Sequence, residues 1–69
     1  MTAKQKIVMA LAYAELTQAE LARRLGMQPQ LLNQRMATGR FTIDEWEKIA
    51  EAIGAKLDIA FVFEKGVRV

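Results

Sequence analysis

Gln18-Ala19-Glu20-Leu21-Ala22-Arg23-Arg24-Leu25-Gly26-Met27-Gln28-Pro29-Gln30-Leu31-Leu32 is the stretch on which the fold turns. Thr17, just before it, is a good helix cap, and Glu20 stands three residues on, where its carboxylate can reach back to the cap's N–H. Leu16 and Leu21 flank that box as a hydrophobic staple. Leu21, Ala22 and Leu25 supply one apolar side, and Gly26 stops the helix because glycine accepts the left-handed conformation that follows a helix end. Pro29 restarts a helix at its first position, where the missing N–H has no bond to make. Two short helices therefore meet across Gly26-Met27-Gln28. Small Ala22 stands where they cross, and Leu21, Leu25, Met27 and Leu32 are apolar where close approach requires it.

The reading extends in both directions. Upstream, residues 4–15 predict a helix with Ile7, Ala10, Leu11 and Ala14 on one face. The two central helices are predicted over 17–25 and 28–37. The second buries Leu32 and Met36 and turns Gln30, Asn33, Gln34 and Ala37 the other way. Thr38-Gly39-Arg40 is a loop. Thr42 then caps a fourth helix over 43–53, with Glu45 completing a box and Phe41 and Trp46 as its staple. Ile43, Trp46, Ile49, Ala50 and Ile53 keep helical spacing until Gly54. Beyond it the period falls to two. Leu57, Ile59, Phe61 and Phe63 alternate with Lys56, Asp58, Ala60 and Val62, which predicts a strand over 56–63. Glu64-Lys65-Gly66 suits a short hairpin loop, and Val67-Arg68-Val69 a stub of return strand. A lone hairpin is barely stable in water, so it must pack on the helices, pair with a second chain, or both. The fold class is mainly α: one four-helix domain over 1–69 with a C-terminal β-strand or short hairpin.

Composition narrows the function. A chain of 69 residues is one domain, and one so small is marginal enough that dimerisation would help it. It has no cysteine, histidine or serine, so disulfides, the commonest metal ligands and a nucleophile–base pair are missing. No cofactor loop or metal constellation is visible. An enzyme is not expected, nor a cofactor or metal. The net charge of +2 is unevenly placed. Residues 1–42 carry six cations against two anions, whereas residues 43–69 carry four against six. The basic front half suggests a face for polyanions. Ala12-Tyr13-Ala14 has the form of a signal-peptidase site, but cleavage there would discard the first helix, so a cytoplasmic protein without a membrane span is expected.

From Leu16 to Gly54 the chain resembles the lambda-repressor-like, Cro/repressor-type helix-turn-helix domains of phage and bacterial regulators. Thr17-Gln18-Ala19-Glu20-Leu21-Ala22 and Leu25-Gly26-Met27 carry most of the likeness, and Phe41 to Glu45 with Ile49 to Gly54 is similar to the family's next helix. The resemblance implies that the third helix enters the major groove of duplex DNA and that Gln18 binds a phosphate. It puts the exposed recognition positions on Gln28, Pro29, Gln30, Asn33 and Gln34. Amide side chains donate and accept at once, which suits the adenine edge, so Gln30, Asn33 and Gln34 are the candidates for base readout. Gln18, Gln28, Arg35 and Arg40 are the candidates for backbone contact; Arg23 and Arg24 are weaker. The chain departs from the family pattern at Pro29, at Arg35 (where many members are apolar and Met36 could fill the space) and in the strand that replaces a fifth helix.

Two functions follow as expectations. The first is a repressor-like regulator binding double-stranded DNA as a homodimer, with half-sites about 34 Å apart and Leu57, Ile59, Phe61 and Phe63 as dimer surface. The second is a protein-interaction or antitoxin-like module that binds a partner protein through the same scaffold, its strand joining a foreign sheet.

Overall fold

The computed structural model describes all 69 residues and contains four helices in the order α1 (Ala3–Ala14), α2 (Gln18–Arg24), α3 (Pro29–Thr38) and α4 (Ile43–Ala52). Each begins and ends within two residues of the sequence expectation, the margin by which helix ends fray. Threonine starts three of them. Thr2 and Thr42 form complete capping boxes with Gln5 and Glu45. Thr17 makes only half of one. Its hydroxyl accepts from the Glu20 N–H at 3.1 Å, but the Glu20 carboxylate turns to Arg23 instead of reaching back to the cap. The reciprocal bond expected there does not form, because a cation one turn on competes for the same carboxylate. The α3 start has no side-chain cap and relies on Pro29.

The helix ends share one device. After α1, α2 and α4 the chain steps into the left-handed region at Glu15, Gly26 and Gly54. The next N–H then folds back across the last turn: Leu16 to the Leu11 carbonyl at 2.9 Å, Met27 to Ala22 at 2.8 Å, and Ala55 to Ala50 at 2.8 Å. These are Schellman closures, which satisfy carbonyls that a helix end leaves orphaned. Gly39 closes α3 with the simpler single bond to Arg35.

The helices bury a small core of Ile7, Leu11, Leu21, Ala22, Leu32, Met36 and Ile49. Leu21 and Ala22 are fully enclosed. Met36 is buried as expected, while Trp46 is only half-buried at the core edge and packs against Phe41 with ring centroids 5.1 Å apart. Ile43 departs from expectation: it begins the α4 stripe but lies 60% exposed. It sits in the first turn of α4, ahead of the turns that meet the core. Arg24 ties α2 to α4 by donating to the Ala52 carbonyl at 2.8 Å, a cation placed on the negative end of a helix.

The expected strand over 56–63 is not formed as an element. Residues 61–69 make a short hairpin with a single antiparallel bridge, Val62 to Arg68. Phe61 and Val69 exchange backbone bonds of 2.6 and 2.9 Å, and Phe63 donates to Val67 at 2.9 Å. Gly66, at φ 81°, turns the loop as the sequence implied. Because Val69 reaches only to Phe61, residues 56–60 face no partner strand and form no ladder. Nor does the hairpin pack on the helices, since every residue from Phe61 to Val69 is exposed. The chain is drawn out to 43 Å along one axis against 23 and 19 Å on the others. Its radius of gyration, 13.2 Å, exceeds the value of about 11 Å for a compact chain of this length.

Glu15 is the one residue other than glycine at positive φ, and it places a negative charge at a helix C-terminus. Left-handed backbone costs an L-residue roughly 1–2 kcal/mol, more than glycine's entropic penalty. Glu15→Gly is therefore expected to stabilise the fold by about 0.5–1 kcal/mol, raising Tm by about 3–6 °C. Thermal melts of the two proteins at neutral pH check this; an unchanged or lower Tm would show that the turn is not strained.

Candidate nucleic-acid interface

The core sets the orientation of α3. At about 100° per residue, burying Leu32 and Met36 turns Gln30, Gln34 and Thr38 to the opposite side, with Asn33 and Ala37 on one flank and Leu31 on the other. Gln30, Asn33 and Gln34 are all exposed, and Gln30 and Gln34 lie one turn apart. Gln28 is exposed just before the helix, and its side chain caps nothing. Gln18, the first residue of α2, is half-buried. None of these five amides makes a side-chain hydrogen bond within the chain. Their donors and acceptors are left to water or to a ligand.

Leu31 belongs to the same surface, 46% exposed beside Gln30 and Gln34. Sequence reasoning passed over it because an apolar residue in an amphipathic helix is read first as core. The helical wheel held the signal, since Leu31 falls well off the line through Leu32 and Met36.

The arginines divide by their partners. Arg40 is exposed in the loop after α3, and its side chain makes no ion pair. Arg35 is different. It was expected to be free for phosphate, with Met36 taking the core position. Met36 does so, but Arg35 is taken up within the fold. Its guanidinium pairs with the Glu45 carboxylate, donates to the Arg40 carbonyl at 3.3 Å and lies 5.3 Å from the centre of the Phe41 ring. Arg35 thus braces the α3–α4 loop, and its own charge is committed to Glu45. Arg23 is paired with Glu20, and Arg24 is bonded to the end of α4.

Glu45 carries this brace and the α4 cap together: one oxygen accepts the Thr42 N–H at 2.9 Å, the other the Arg35 guanidinium. The backbone bond from Thr42 and then the Arg35 bond hold its carboxyl below the usual glutamate value. The proposed dimer residues fall elsewhere. Leu57 is half-buried, whereas Ile59, Phe61 and Phe63 are exposed. No helix is long and apolar enough to cross a membrane. No protein-family model, curated protein or solved structure matches the chain.

A carboxyl depressed on folding contributes stability that is present above its unfolded pKa and is lost as pH falls through its lower folded value. Tm is therefore expected to drop through that acid window in the parent protein. Glu45→Gln, which can still cap, should melt lower at neutral pH and lose part of the acid drop. Parallel Tm–pH curves for the two proteins would show that Glu45 does not carry the linkage.

Proposed function

We propose that the chain is a sequence-specific DNA-binding regulator, acting as a repressor, in which α2 and α3 form a helix-turn-helix and α3 enters the major groove of duplex DNA. The supporting observation is the exposed side of α3, where Gln30, Asn33 and Gln34 stand with no partner inside the molecule. A solvated helix face is more often built from Lys and Glu, which carry charge for solubility. Amides in this arrangement match the donor–acceptor edges of bases, adenine above all. Leu31 beside them suits a thymine methyl. Gln18 and Gln28 contact the phosphate backbone and set the register, together with Arg40, whose charge is uncommitted. Arg35 drops out of the contact set because Glu45 holds it.

The partner is double-stranded DNA with a near two-fold site read by two copies of the chain, half-sites about one helical turn apart. The likeness to lambda-repressor-like domains gives the same assignment. A protein-binding or antitoxin-like role draws on a different feature, the exposed apolar hairpin.

Selection of bound duplexes from a random library, at low and at physiological salt, tests the proposal. A two-fold motif that survives physiological salt is expected; recovery only at low salt without a motif would overturn it. Within the selected site, Gln34→Ala should cost about 1–3 kcal/mol at one base pair and relax preference there. Gln18→Ala should weaken binding to all sequences alike. Arg40→Ala should reduce the slope of log affinity against log salt by about 1.

A further inference from the structure

A groove of about 560 Å³ runs between α1, α4 and the extended segment after α4. Ile7, Ala10, Trp46, Ile53, Leu57 and Ile59 supply its apolar walls, and Lys6 and Lys56 stand at its rim. Leu57 and Ile59 continue directly into the hairpin. Alternation then puts Phe61, Phe63, Val67 and Val69 on one hairpin face, because Phe61 lies opposite Val69 and Phe63 opposite Val67. That face is bare: Phe61 is 73% and Phe63 59% exposed. The groove lining ends at Ile59, and the bare hairpin face begins two residues further on at Phe61.

We propose that this surface joins two copies of the chain by exchange of arms, the hairpin of each copy lying in the α1–α4 groove of the other. The proposal rests on the two-copy part of the functional reading and is independent of its DNA part. Two observations favour a second copy as the occupant. The first is area. Taking a large aromatic side chain as roughly 200 Å², the bare face of Phe61, Phe63, Val67 and Val69 presents on the order of 450 Å². That is a large patch for a monomer, and with the groove added it comes to roughly 600 Å² per partner, the low end for a specific interface. The second is self-complementarity. A two-fold axis places each arm in the other's groove and covers both halves at once.

The test uses the full chain without DNA. Light scattering behind size exclusion at micromolar concentration is expected to give twice the 7.8 kDa of one chain. Phe61→Lys/Phe63→Lys should weaken association by more than about a hundredfold while leaving the helical circular dichroism unchanged, because neither residue touches the helical core. The natural chain has no cysteine, so single cysteines report contacts cleanly. A mixture of Ala10→Cys and Phe61→Cys proteins should form a mixed disulfide or short cross-link in preference to either self-pair. A monomeric parent at all concentrations would overturn the proposal. So would cross-linking confined to Phe61→Cys with itself, which marks hairpin edges paired side by side. A dimer with these cross-links that selects no DNA motif would sustain the arm exchange and count against the DNA reading alone.

Discussion

The bond from the Met27 N–H to the Ala22 carbonyl, 2.8 Å long, is the constraint on which the rest of the molecule depends. It closes α2 and directs the chain into α3 while Ala22 sits fully enclosed at the crossing. A methyl is all the crossing admits; a larger side chain would force the helices apart, at roughly 1–3 kcal/mol or more. With that angle set, Leu21 and Leu32 reach the same core, and Leu32 with Met36 turns the amides of α3 outward. The exposed amide face of α3 is therefore a consequence of packing on its back. A change at Ala22 would re-aim Gln30 and Gln34 without touching either.

The second brace is the cluster of Arg35, Phe41, Thr42 and Glu45. Here one carboxylate caps α4, holds a cation of α3 and through it steadies the loop that carries Arg40. This arrangement removes a charge from the outer surface and spends it on fixing the loop. An arginine in a position that would suit an apolar residue thus has a structural reason. Its guanidinium lies over the Phe41 ring and at the same time answers Glu45.

Local features were legible in the sequence and relations between distant residues were not. Thr17, Gly26, Pro29, Thr42 and Gly54 act within a turn of themselves, so their roles could be read directly, and the four helices followed. Thr2 and Gln5 form a capping box that the same rule would have found. Glu20 and Arg35 show the limit, since each had two available partners and only the packed chain decides between them. The alternation from Leu57 to Phe63 marked extended backbone but held no information about whether a second strand stands alongside. Leu31 and Ile43 show that an apolar residue at helical spacing can still face outward. The amides of α3 stood out because of their type, and the structure places them on one exposed side.

The left-handed closures have a kinetic consequence. Each helix is ended and redirected within a few residues, so α2 meets α3 directly, and the core is completed by α1 against α3 and α2 against α4 across one intervening helix. Such topologies have low contact order and form on a timescale of about microseconds to milliseconds. The hairpin closes on its own backbone bonds, but in the proposed exchange the covering of its apolar face is a bimolecular event with a rate proportional to concentration. Newly made chains would accordingly hold a finished helical domain well before their arms are covered, and the interval between the two events would lengthen as the protein grows scarce.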